Sequence, residues 1–200
     1  MDRERLLQRF LRYVAVDTTA NEHRQGYPSS PGQLALGRLL VEELGRIGIQ
    51  DVRQDEHGIV LARLPTANPQ APRIVWNAHV DTSPETTGAD VRPQVIRSYV
   101  GGDIQLSGAT NKTIQVADNP ELSDLHGCTL ITTDGTTLLG ADDKAGIAII
   151  VEAAAHLAEQ GFSSNGPITL LFTCDEEIGH GVDHEETKQS LGHGMASPST

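Results

Sequence analysis

Apolar residues in the first fourteen positions fall at Leu6, Leu7, Phe10, Leu11 and Val14, with Arg3, Glu4, Gln8, Arg9 and Arg12 between them. That spacing draws one stripe along a 3.6-residue period and predicts a surface helix over 2–14. A loop rich in Thr, Asn, Gly, Ser and Pro over 17–32 precedes a second helix, which Ser30 and Pro31 open and Gly48 stops. Its buried side is expected to carry Leu36, Leu39, Leu40, Leu44 and Ile47. Two short β-prone runs, 51–54 and 58–64, meet at His57-Gly58 and predict a hairpin. The compact run Ile74-Val75-Trp76 inside 73–78 predicts a buried strand.

From 83 to 127 the periodicity fades, and a tract of that length needs short strands of its own, for which 91–100 and 113–116 are suited. Thr129 to Thr133 reads as a strand, Asp134-Gly135 as a hairpin turn and 136–139 as the returning run. The clearest helix spans Ala145 to Gln160, with Ile147, Ile150, Val151, Ala154, Leu157 and Ala158 as its inner stripe and Gly161 as its stop. A second buried strand follows at 167–173. Strands alternating with helices predict an α/β fold in which a mixed β-sheet is flanked by helices. The body of the fold is expected over 1–184, and the small polar residues of 185–200 predict a poorly ordered tail.

Charge narrows the function. The 200 residues carry 15 Lys+Arg against 27 Asp+Glu, a formal net charge of -12. Nucleic acid and anionic membrane both demand a basic surface, so neither is an expected partner. No apolar run approaches the length of a membrane span. Cys128 and Cys174 are far apart and form no CxxC pair, which indicates neither a disulfide framework nor a thiolate metal site. The mixed-charge N-terminus does not read as a signal peptide. A cytoplasmic location is expected.

Acidic groups follow three of the β-type segments. His79 and Asp81 come after 73–78, Asp142 and Asp143 after 129–139, and Asp175, Glu176 and Glu177 after 167–173. Taken singly, each has a plain explanation: a surface histidine, a helix N-cap beside a solvated carboxylate, an exposed acidic turn. Taken together, a parallel or mixed sheet would bring all three to one edge, where α/β proteins bind ligands. One imidazole among several carboxylates suits Zn²⁺. A histidine ligand commonly gives its second ring N–H to a carboxylate, so His79 is the candidate ligand and Asp81 its orienter. Two ions would need a carboxylate between them, for which Asp142 is the choice, and one of Glu176 and Glu177 would act as general base while the other is a ligand.

Three stretches then carry a resemblance: Ala78 to Thr82, Thr132 to Ile147 and Phe172 to Gly179. They look like the M20 di-zinc peptidases, in the peptidase T branch of tripeptide aminopeptidases. The likeness runs from about residue 2 to about residue 184, and Tyr99 to Ile104 also resembles that branch rather than the general M20 deacylases. The resemblance implies that His79 binds one zinc and Asp81 orients it. Asp142 would bridge both ions, Glu176 would be the general base and Glu177 would bind the second zinc. Asp143 would support the loop.

Members of such a family are about twice as long. The resemblance implies one further protein ligand per ion, an Asp about twenty residues beyond the glutamate pair and a His near the C-terminus, together with a lid domain bearing dimer contacts. None of these is identifiable here, and His180, His184 and His193 read as solvated. The expectation is therefore the N-terminal portion of a zinc aminopeptidase that takes the N-terminal residue from tripeptides, homodimeric when complete. The alternatives are another M20 amidohydrolase or a non-catalytic remnant that binds metal weakly.

Overall fold

The computed structural model describes residues 1–108 and 111–184. Along the chain run α1 (Arg3–Val14), α2 (Pro31–Ile47), β1 (Asp51–Gln54), β2 (Val60–Arg63), β3 (Ile74–His79), β4 (Gln94–Ile96), β5 (Ile104–Gln105), β6 (Thr113–Ile114), β7 (Leu130–Thr132), α3 (Ala141–Glu159) and β8 (Ile168–Thr173). Among the described residues two compact units result, one from 1–85 with 140–184, the other from 86–139. The tail expected to be poorly ordered, 185–200, lies outside the described residues.

In the first unit a four-stranded sheet has the order β1-β2-β8-β3. Its β1–β2 and β2–β8 pairs are antiparallel and its β3–β8 pair is parallel, which makes it mixed. The predicted α/β class holds, and so does the 51–64 hairpin. Helix α2 packs on β1 and β2, α3 packs on β3, and α1 lies against α3. Leu36, Leu40 and Leu44, one turn apart on α2, are fully buried together with Tyr13, Val14, Ile147 and Val151. Leu39 and Ile47 are only half-buried. The opposite sheet face holds Ile59, Leu61 and Leu171, with Tyr27 and Val75 against them.

Charged residues complete the helical layer. Glu152 of α3 is fully buried and accepts from Arg5 Nε at 2.8 Å, from the Asp2 amide at 2.9 Å and from Arg9. Arg9 also reaches Glu43 of α2 at 2.7 Å, and the Tyr13 hydroxyl donates to Glu43 at 2.8 Å. The three helices are thus joined by paired charges, the condition under which a charge can be buried at all. Asp2 caps α1 by accepting from the amides of Glu4 and Arg5, and Gly48 ends α2 at φ 100°, a left-handed conformation suited to glycine.

Three expectations need correction. The β3 run was expected to be buried, yet β3 forms a sheet edge among the described residues, and Ile74 is 45% exposed. Only Ala78 and His79 at its C-terminal end are buried. No hairpin forms at Asp134-Gly135: the Asp134 carboxylate accepts from the Thr136 amide at 2.9 Å, and β7 pairs instead with β4. An aspartate that bonds two residues ahead closes its own local turn, which competes with a two-residue hairpin. On α3 Ile147, Val151 and Ala154 of the predicted stripe are buried, with Lys144, Ala148, Glu152 and Ala155 beside them, while Ile150, Leu157 and Ala158 are only half-buried.

The second unit pairs β4 with β7 and β5 with β6, both antiparallel, around a cluster of Tyr99, Ile104 and Leu122. It supplies the short strands that the tract 83–127 required. Among the described residues no helix is long and apolar enough to cross a membrane.

Candidate metal centre

The register of β3 against β8 explains the convergence. His79, the last residue of β3, stands beside Thr173, the last of β8, and the Val80 amide donates to the Thr173 carbonyl at 2.8 Å. Parallel neighbours that end together deliver the residues after them, 80–82 and 174–177, to the same sheet edge. The start of α3 adds the third segment. Gly140 adopts φ 75°, and a Cβ there would stand 3.0 Å from the Thr82 side chain, so only glycine fits the turn comfortably.

Within this edge, one ligand atom each from His79, Asp142 and Glu177 lies within 4.8 Å of the other two. His79 Nε2 and Asp142 Oδ1 are 3.0 Å apart. The Asp142 side chain is 85% exposed, so it is not held there by burial. Its neighbour Asp143 does the capping: Asp143 Oδ1 accepts from the Gly146 amide at 3.2 Å, and both residues depart from helical φ/ψ before the regular helix begins. The Asp142–Asp143 peptide is cis.

Asp81 joins two of the segments. It is fully buried and accepts from the amides of Glu176 and Glu177, at 3.1 and 3.0 Å on its two oxygens. Its Oδ1 also lies 3.4 Å from His79 Nδ1, while the Asp81 carbonyl is 3.2 Å from the same nitrogen. Oxygen on the Nδ1 side favours a proton there and leaves Nε2 to face the cluster. Glu176, 59% exposed, brings a carboxylate oxygen to 3.8 Å from His79 Nε2.

The electrostatics fit crowded acids around one base. Burial alone would lower the His79 pKa, but the hydrogen bond and charge of Asp81, aided by Asp142, push it up to about 9. Burial raises the Glu177 carboxyl, and the charges of Asp142, Asp81 and Glu176 raise it further against the pull of His79. Asp143 is raised for the same first reason. Bringing these carboxylates together without a cation is unfavourable, and a cation would relieve it. A donor set of one imidazole nitrogen and two carboxylates is one that Zn²⁺ accepts, so these residues would suit that ion.

Sequence reasoning missed two buried groups. Lys144, only 1% exposed, donates from Nζ to the Val16 carbonyl at 2.7 Å and ties α3 to the loop after α1. Burial lowers its pKa to about 8. Asp175 is buried too, and is not part of an exposed acidic turn. Of the histidines read as solvated, His180 bonds Asp183 at 2.6 Å and His184 stacks on His57. His193 lies outside the described residues.

Comparison with known proteins bears on the family of the chain. The model of peptidase family M20/M25/M40 matches residues 132–192, which include Asp142, Glu176 and Glu177. Peptidase T of Bacillus licheniformis is 49% identical over 180 residues, covering 90% of this chain and 44% of that protein. Peptidase T of Vibrio parahaemolyticus is 49% identical over 179 residues, again 44% of its length. The chain thus spans less than half the length of these curated relatives. Among solved structures, aminopeptidase PepT from Bacillus cereus matches with a TM-score of 0.60 at 26% identity, over 90% of this chain and 38% of that one. A tripeptidase from Staphylococcus aureus matches at 0.63 and 25%, over 94% and 41%. On its matched family model over 132–192, its near-half identity to peptidase T over nine-tenths of its own length and its shared fold, the chain is similar to the peptidases of family M20.

Proposed function

We propose that this chain carries the ligand cluster of a zinc-dependent aminopeptidase that releases the N-terminal residue of tripeptides. The observation that carries the reading is the meeting of His79, Asp142 and Glu177 ligand atoms within 4.8 Å at one sheet edge. The tripeptide class is supported by likeness to the peptidase T proteins and to the solved tripeptidase. Free thiols at Cys128 and Cys174 go with a cytoplasmic setting.

In this reading His79 would hold one zinc and Glu177 a second, with Asp142 serving both. Bound there, the ions would supply Lewis-acid polarisation of the scissile carbonyl and lower the pKa of water. Asp81 keeps His79 in the tautomer whose Nε2 lone pair faces the cluster. Glu176 is the proton carrier: its carboxylate takes a proton from the attacking water and gives it to the amine nitrogen as the C–N bond breaks. Its exposure leaves it free to move between the two positions.

The test is hydrolysis of an unblocked tripeptide by the zinc-loaded chain, beside the N-acetylated tripeptide and Glu176→Gln. The reading expects release of the N-terminal residue from the unblocked peptide only, with a loss of about a hundredfold or more in the variant. Zinc retained without any turnover would reduce the chain to a metal-binding module. Equal cleavage of the acetylated peptide would refute the aminopeptidase assignment.

A further inference from the structure

Three consecutive carboxyl groups at 175–177 do not behave alike. Glu176 and Glu177 face the cluster, while Asp175 turns the other way and is 1% exposed. Its Oδ2 accepts from the Ser29 amide at 2.7 Å, and its Oδ1 accepts from Gln33 Nε2 at 2.6 Å and from the Ser29 hydroxyl. The exchange is mutual, because Gln33 Oε1 accepts from the Asp175 amide at 3.1 Å. Gln33 and Ser29 are themselves buried, and beyond this exchange the Ser29 hydroxyl accepts from the Asn21 amide at 2.9 Å and Gln33 Nε2 lies 3.3 Å from the Ser30 hydroxyl. One residue earlier, the Tyr27 hydroxyl donates to the Cys174 carbonyl at 2.8 Å.

The location of this group gives it a role beyond holding α2 to the sheet. Asp175 has φ 57°, and from that reversal the next two amides point back at Asp81. The glutamate turn is therefore gripped from two sides, by Asp81 behind the His79 strand and by the 27–33 segment at the start of α2. We propose that Asp175, clamped by Ser29 and Gln33, is a positioning residue that fixes where the Glu176 and Glu177 carboxylates stand relative to His79. Its purpose rests on the metal reading above; the clamp itself does not. A displacement of about 1 Å at a reacting group can cost about a hundredfold in rate, so a two-sided grip has a functional return.

The test uses the full chain, with Asp175→Asn, Gln33→Glu, the double variant and Ser29→Ala. Asparagine turns an N–H₂ toward donors, and glutamate at 33 sets a carboxyl against a carboxyl. In the double variant the amide of one again faces the oxygen of the other. Two readouts are taken: amide hydrogen exchange at Glu176 and Glu177 in the metal-free chain, and Co²⁺ affinity with its visible spectrum.

Each single change is expected to speed exchange at those two amides about tenfold and to weaken Co²⁺ about ten- to a hundredfold, while the β2 amides keep their protection. The double variant is expected to recover part of both losses, and Ser29→Ala to show a smaller effect in the same direction. Wild-type exchange and affinity in the single variants would overturn the proposal. So would loss of protection spread equally over β2, or a double variant with no recovery. Should the single variants fail to fold, Ser29→Ala decides by the same two readouts. Should the wild-type chain take up no Co²⁺, the metal reading fails, and the exchange data alone decide the clamp.

Discussion

Replacing Asp81 probes the join between the two strand ends. Its carboxylate is fully buried and accepts two backbone hydrogen bonds, at 3.1 and 3.0 Å, while facing His79. A hydrogen bond to a charged group contributes about 1.5–3 kcal/mol, so two give about 3–6 kcal/mol before correction. The Glu176 side chain is 59% exposed, and water at that turn can satisfy part of what alanine leaves unpaired. Asp81→Ala is therefore expected to destabilise the metal-free chain by about 3 kcal/mol. Asp81→Asn keeps one acceptor and turns a donor toward the second amide, so about half that loss is expected. Urea unfolding reads both, as a shift in midpoint at unchanged slope. Alanine within about 0.5 kcal/mol of wild type would refute the view that Asp81 ties the turn to the strand.

Three further perturbations test separate parts of the account. In the metal-free chain His79 is raised from 6.5 to about 9, so its contribution is complete below pH 6.5 and declines as pH rises toward 9. Stability should fall by about 1–2 kcal/mol between pH 6.5 and 8, before the depressed Lys144 begins to act in the opposite sense; unfolding midpoints that stay level or rise over that range would contradict it. Glu152→Ala leaves the buried Arg9 with Glu43 as its remaining partner among the described residues and should cost about 3 kcal/mol, or roughly 6–12 °C in Tm, with an unchanged Tm as the contrary result. Gly32→Ala would place a Cβ 1.6 Å from the Asp17 carbonyl and should cost more than about 2 kcal/mol, whereas Gly45→Ala meets nothing within 4 Å and should gain about 0.5–1 kcal/mol. Chemical denaturation of the pair checks the contrast, and equal effects would contradict it.

What could be read from sequence was whatever depends on local period. The stripe Leu7, Phe10 and Val14 and the turn-spaced Leu36, Leu40 and Leu44 are buried as their spacing requires. The hairpin of β1 and β2 follows from two short runs and a glycine. Ile74 was misjudged because an Ile-Val-Trp run looks the same in a central strand and at an edge; only the sheet order separates them. On α3 the spacing finds Ile147, Val151 and Ala154 but not Lys144 and Glu152, which do not register as apolar although paired or hydrogen-bonded charges can be buried. At the site, residue types suggested His79, Asp142 and the glutamates. The role of Asp175 was invisible because its partners, Ser29 and Gln33, lie 146 and 142 residues away in the chain.

His79, Asp142 and Glu177 are proposed to form one metal centre, with Asp142 shared between two ions. Equilibrium dialysis of Zn²⁺ against wild type and Asp142→Ala tests it most directly, with unfolding curves showing that both chains are folded. Zinc uptake by the wild-type chain and loss of all bound zinc together in the variant are the expected results. Asp142→Ala that retains the wild-type zinc content and affinity would contradict the shared centre.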